Sequence, residues 1–250
     1  MIRRSRFVAA IGLVLALGVA GFAFADGASE NSVTVLGKVT PTKLDKKKFK
    51  PVTLYSGVTT STTHAVPGQQ NAEQVTVEYP KNIKFDLTKA PVCTANIAQT
   101  TTEQAKALCP PDSLIGSGVS HANAGHGPDE ISDVTVSVFN GPGPNHIRLH
   151  AATPTFGPGL TQVVEADIVS KAPDAGFGPA LVVKDAPDLV GDAFMLTLFD
   201  ATISKSTKTV LGRCKSKTNK FRNVTVYDDG TTDTGDLTTK CKQKKKKGHK

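Results

Sequence analysis

Short runs with a period of two dominate this chain. Val75, Val77 and Tyr79 alternate with Thr76 and Glu78, and Val134, Val136 and Val138 alternate with Thr135 and Ser137. Successive side chains on a strand point to opposite faces, so this spacing predicts strands with one buried and one wet face. Residues 33–39, 51–58, 146–151, 162–169, 180–184, 193–203 and 223–227 are further short runs rich in Val, Thr and Phe. Gly, Pro or Asp clusters bound them, as expected of strands separated by turns. The pattern predicts an all-β chain, an antiparallel β-sandwich with one short helix. That helix is expected over 103–108, because Thr100 precedes Glu103 at capping-box spacing and Pro110-Pro111 stops it after Cys109. Asp229-Gly230, between 223–227 and a Thr-rich segment, signals a hairpin. At 250 residues and 38% hydrophobic, the chain can bury one main core.

The first segment reads as a targeting signal. Arg3, Arg4 and Arg6 precede an uncharged apolar stretch over 7–24, and Ala23-Phe24-Ala25 is an A-x-A cleavage site. The stretch approaches the roughly 20 residues that span a bilayer, so an uncleaved anchor is the alternative; the small-residue site favours cleavage near Ala25. No later segment is long and apolar enough to span, so the mature chain is expected to be secreted or associated with the cell envelope. Four cysteines in an exported chain read as two disulfides, for which three pairings exist. Spacing favours Cys93 with Cys109 and Cys214 with Cys241, each loop stabilising the fold by roughly 3 kcal/mol on the chain-entropy view. With neither a C-x-x-C pair nor a cysteine and histidine at ligand spacing, zinc is a poor alternative. The organisation expected is a signal peptide over 1–25, a sandwich over 26–212, a disulfide-closed hairpin extension over 213–241 and a disordered basic tail over 242–250.

Charge is concentrated at the C-terminus. The whole chain is +8, and without the signal it is +5; residues 240–250 hold seven lysines and no acid, leaving 26–239 at −2. A slightly acidic body argues against nucleic acid as partner. Lys244, Lys245, Lys246 and Lys247 are consecutive, a block that repels itself and stays extended, suited either to solubility or to contact with an anionic wall polymer or lipid surface.

Several stretches carry a resemblance. Lys48-Phe49-Lys50-Pro51-Val52-Thr53-Leu54, Phe85-Asp86-Leu87, Ala90-Pro91-Val92-Cys93 and Cys109-Pro110-Pro111-Asp112-Ser113-Leu114-Ile115-Gly116-Ser117-Gly118 stand out. With Phe139-Asn140-Gly141 and Phe199-Asp200-Ala201-Thr202-Ile203, the chain resembles a group of exported actinobacterial proteins of unknown function over most of 41–241. The resemblance implies an exported, disulfide-bonded, β-rich protein and carries no catalytic residue.

Motifs for chemistry are sparse. Ser117 lies in Gly116-Ser117-Gly118, but Ile115 and Val119 stand where a nucleophile elbow needs glycine. No H-E-x-x-H, phosphate-cradling loop, dinucleotide fingerprint or EF-hand loop occurs, and no cofactor or catalytic residue is assigned. The best polar constellation is His146, Arg148 and His150, which alternate with Ile147, Leu149 and Ala151 and so share one strand face. His121 and His126 fall in a Gly/Ala/Asn segment read as a loop near that face, with Asp129, Glu130 and Asp133 close in sequence. Such a set could hold zinc or iron, yet strand residues four apart lie about 13 Å apart and Arg148 between them opposes a cation. Glu165 and Asp167 alternate like a carboxylate pair, Asp228, Asp229, Asp233 and Asp236 surround the hairpin turn, and Phe156 and Phe177, each followed by Gly-Pro, are read as lids or loop tips. The expectation is a non-enzymatic binding or structural protein of the envelope or exterior. The alternative is a secreted hydrolase or metal-dependent enzyme using the histidine face.

Overall fold

The computed structural model describes residues 31–62, 72–124, 130–154, 161–186 and 194–244. The segment read as a signal, and with it His126, Asp129, Phe156 and Lys245, Lys246 and Lys247, lies outside them. In chain order the elements are β1 (Asn31–Thr40), β2 (Lys43–Leu44), β3 (Lys50–Pro51), β4 (Thr53–Thr62), β5 (Ala72–Glu78), β6 (Ile83–Phe85), α1 (Thr102–Leu108), β7 (Leu114–Ala124) and β8 (Glu130–Asn140). Then follow β9 (His146–Ala152), β10 (Thr161–Val169), β11 (Ala180–Val183), β12 (Phe194–Ile203), β13 (Val210–Gly212), β14 (Thr218–Tyr227), β15 (Thr232–Lys240) and β16 (Lys242–Gln243).

Period-two patterning produces the expected all-β antiparallel architecture, with a single large sheet at its centre. Eleven strands run in the order β1-β4-β12-β7-β8-β9-β10-β11-β5-β14-β15, every neighbouring pair antiparallel. The sheet curls over one core until its two edge strands lie against each other without a shared ladder. Val35, Leu54, Val136, Leu149, Ile168, Leu181 and Phe221 line the inside, so both halves of the sheet serve as layers of one sandwich. At the seam β1 crosses the C-terminal hairpin so closely that a Cβ on Gly37 would stand 2.8 Å from the Phe221 ring. Phe221 is fully buried and cannot yield, and Tyr79 meets its edge at 6.5 Å. Tyr79 itself is buried, which pushes its phenol up to about 12.

Both favoured disulfides are present, Cys93–Cys109 and Cys214–Cys241, with Cα atoms 5.0 and 5.9 Å apart. The hairpin of β14 and β15 is no appendage. Its strand β14 pairs with β5, because Asn219, Phe221, Asn223 and Thr225 bury one face against the core while Arg222 and Val224 face out. Below it, β3-β13-β6 forms a small sheet, and β16 pairs in parallel with β2. Residues 242–244, expected in the free tail, are therefore held: the Lys242 and Lys244 amides donate to Thr42 and Leu44.

The helix starts at Thr102, one residue before the expected 103, and its capping box lies one residue later than the Thr100–Glu103 spacing suggested. Thr101 is the N-cap and Gln104 closes the capping box, Thr101 Oγ1 accepting from the Gln104 amide at 3.2 Å and Gln104 returning the bond at 2.9 Å. Thr100 is thereby released to bond elsewhere. The segment carrying His121 is strand β7, not a loop. Its Gly and Ser residues mimic loop composition because Gly116 and Gly118 are pressed on the β12 backbone. Among the described residues no helix is long and apolar enough to cross a membrane.

Replacing Gly37 by Ala forces the Phe221 ring or β1 to move at the seam, so urea unfolding should show a loss of about 1–3 kcal/mol. A variant as stable as the parent would mean that the seam is not closely packed.

Candidate functional site

The register of β8, β9 and β10 builds the site. Asp167 stands opposite His146, Glu165 opposite Arg148, and Val163 opposite His150; on the other side Phe139 faces Arg148 and Ser137 faces His150. Directly opposed residues share a face, so these side chains form one patch on the outside of the sheet. The disulfide segment 93–113, with α1, covers half of it. Cys93, Ile97, Ala105, Cys109 and Phe139 make a second small core there, with Val163 packed at its border. Asn140 pins the approach to this lobe: its amide nitrogen donates to the Ala90 carbonyl at 2.8 Å, and its carbonyl accepts from the Cys93 amide.

The lobe divides the predicted histidine face into two environments. His150 is sealed, with no exposed surface. Its Nε2 lies 3.1 Å from both the carbonyl and the hydroxyl of Thr100, and since a carbonyl can accept but not donate, Nε2 carries the proton. Nδ1 and the Ser137 hydroxyl are buried without a hydrogen-bond partner. Burial depresses the His150 pKa, and Arg148 adds a smaller push in the same direction against the Thr100 bond. The ring is thus a neutral peg that fastens β9 to the turn before α1.

His146, at the uncovered end, lies in an ionic network. Nδ1 is 2.9 Å from Asp167 and Nε2 is 2.8 Å from Glu165. Partial burial works against an imidazolium there, but hydrogen bonds and attraction from Asp167 and Glu165 outweigh it and raise the pKa. Asp167 is correspondingly lowered, first by the His146 bond and then by the charges of His146 and Lys184. Glu165 also accepts from Arg148 Nε at 2.9 Å, while Arg148 Nη1 donates to the Ala95 carbonyl at 2.6 Å. The carboxylates read as a pair in the sequence are cross-strand partners of the basic side chains, a relation that distance along the chain conceals.

The other predicted groups do not join this patch. His121 stands on β7, with β8 between it and β9. Glu130 and Asp133 are at the start of β8, far from the His146 end in register. Asp229 holds the hairpin turn through the Thr231 amide at 2.8 Å, Asp233 accepts from Tyr227, and Asp236 takes a fork from Arg222 at 2.7 and 3.0 Å. Phe177 is buried beneath the Arg222 guanidinium at 4.9 Å, a lid at the end of the sheet. Among the described residues no three His, Cys, Asp or Glu side chains converge as metal ligands. Asn140 and Asn82, both buried hubs of hydrogen bonds, went unnoticed in the sequence because a lone asparagine beside a turn signal looks like turn chemistry.

Comparison with protein-family models and with curated proteins returns no match.

The two imidazoles should titrate on opposite sides of the usual value of about 6.5 in an NMR pH series, His146 above and His150 below. The stability each contributes follows the same signs. That of His146 is present below about 6.5 and lost as pH rises through its folded value; that of His150 is present above about 6.5 and lost as pH falls through its folded value. Substituting Glu165→Gln and Asp167→Asn together should bring His146 down while leaving His150 in place. A His146 midpoint unmoved by the pair would rule out the network as the cause.

Proposed function

We propose that this is an exported, non-enzymatic envelope or extracellular protein with a binding or structural role, whose basic C-terminal tail contacts an anionic surface. The observation that carries the reading is the commitment of the candidate chemical groups to structure. His146 lies between two carboxylates, Arg148 joins the sheet to the disulfide lobe, and His150 is buried as a peg. A general base needs a free lone pair beside space for substrate; both nitrogens of His146 face carboxylates, and the one unbonded nitrogen of His150, Nδ1, is buried. Two disulfides fit an oxidising compartment, and the segment over 1–25 supplies an export route to one.

The test is sedimentation of residues 26–250 with isolated bacterial cell walls across a salt series, beside the variant Lys245→Gln/Lys246→Gln/Lys247→Gln. Binding at low salt, weakened by the substitutions and by salt, is the expected result. No sedimentation at low salt would sink the envelope reading. Zinc or iron copurifying at about one equivalent would instead favour the enzyme alternative.

A further inference from the structure

The end of the sheet beneath the C-terminal disulfide carries a charge that the whole-chain balance conceals. Five of the eight residues 43–50 are lysine, four of the eight residues 213–220 are basic, and three of the five residues 240–244 are lysine. Asp45 is the one acid among these segments. They are remote in sequence yet meet in space. Lys242 pairs with Lys43 across β16 and β2, the Cys214 amide donates to the Asp45 carbonyl, Gly212 pairs with Lys50, and Leu211 pairs with Lys84. All the lysines of the three segments are exposed.

This is a built platform. Asn82, 1% exposed, receives the Lys215 amide at 3.0 Å and donates to Ser216 Oγ at 2.9 Å and Asn219 Oδ1 at 3.0 Å, fixing the backbone that bears Lys215 and Lys217. The Cys214–Cys241 bond ties that backbone to the last strands. Asp45 does not neutralise the surface so much as shape it: its Oδ1 accepts from the amides of Lys47 and Lys48 at 2.7 and 2.8 Å, bonds that hold its pKa down and curl the lysine turn. At the opposite end of the sheet the β14–β15 turn presents Asp228 and Asp229. The molecule is therefore polarised along its strands.

We infer that this lysine platform, 43–50 with 213–220 and 240–244, is a docking surface for a linear anionic polymer of the cell wall. The inference rests on the envelope reading above. Two features choose a polymer over a bilayer. The charge is almost wholly lysine, a hydrated point charge that tracks repeating anions without a fixed partner geometry; the one arginine, Arg213, is spent over the Phe49 ring at 4.3 Å. The exposed large apolar side chains among the described residues, Val92, Leu108 and Val119, all lie away from the platform, whereas surfaces that enter a headgroup layer carry apolar groups to bury.

Long-chain polyphosphate serves as the polymer probe, and vesicles containing anionic lipid as the competing surface, with the mature chain over 26–250. The platform variant Lys46→Gln/Lys48→Gln/Lys215→Gln/Lys217→Gln keeps the tail. The tail variant Lys245→Gln/Lys246→Gln/Lys247→Gln keeps the platform. Parent protein should bind polyphosphate with a steep salt dependence; the platform variant should lose about tenfold or more at 50 mM salt with a shallower slope, and the tail variant about threefold. The altered platform lysines are exposed, and an unchanged thermal unfolding midpoint verifies that the variants are folded. A platform variant that binds like the parent overturns this inference and leaves the tail as the tether. Binding to vesicles but not to polyphosphate overturns the choice of polymer. Failure of the parent protein to bind either probe at low salt overturns the tether reading as well.

Discussion

Strand β1 meets the C-terminal hairpin without a shared ladder, Gly37 against the Phe221 ring and Gly235 against the Val33 carbonyl, and the rest of the structure depends on that seam. An antiparallel sheet of eleven strands has two edges, and each exposes unpaired backbone groups that can recruit another chain. Here the sheet bends until β1 and β15 lie against each other, and Gly37 lets the crossing come close enough to enclose Phe221. Phe221 in turn meets Tyr79, which packs on Phe85 with ring centres 5.2 Å apart. The core from β1 to β6 is thus complete only when residues near the C-terminus are in place. The Cys214–Cys241 bond and the β2–β16 pairing fasten the chain just below this contact, where opening of the hairpin would expose most apolar surface.

The outer face of β9 shows how one alternating pattern can serve two environments. Alternation dictates that His146, Arg148 and His150 face away from the main core, and they do. What covers that face is decided by a different part of the chain. The Cys93–Cys109 lobe folds over Phe139 and His150 and stops short of His146, so one imidazole is held neutral by burial and its neighbour two residues away is held toward charge by carboxylates. Arg148 bridges the two, bonding Glu165 on the open side and the Ala95 carbonyl on the lobe. The same face thereby fixes the lobe's position and spends the groups that made it the best chemical candidate.

Strands with regular alternation, the hairpin turn and the cysteine spacing were legible because each is a local or one-dimensional signal. Strand β7 was not, since its glycines and serines are there for close contact with β12 and resemble a loop in composition. The helix cap shifted by one because Thr100, Thr101 and Thr102 offer the same hydroxyl, and the side chain opposite, Gln104 or Glu103, cannot be ranked by spacing alone. The partnership of His146 with Glu165 and Asp167 depended on the register of β9 with β10, which spacing along the chain does not encode. The roles of Asn82 and Asn140 had no local signal, although Asn140 stood in one of the stretches that carry the resemblance: each satisfies several backbone groups at once, and those groups come from segments distant in the chain.

Net charge was the least informative number and charge placement the most. A body of −2 looks neutral toward polyanions, yet a polymer approaching one end of the molecule meets the local field within a Debye length, about 8 Å at physiological salt, and not the average. Lysines whose backbones are not fixed beforehand lose conformational freedom when they bind. Those fixed by Asn82, the Asp45 turn and the disulfide keep their backbones in place before contact, so less ordering is needed for each charge engaged. A basic end whose lysines are set in place before contact can seat a polymer firmly. The acidic turn of the hairpin at the far end would orient the molecule as it approaches, lysine platform first.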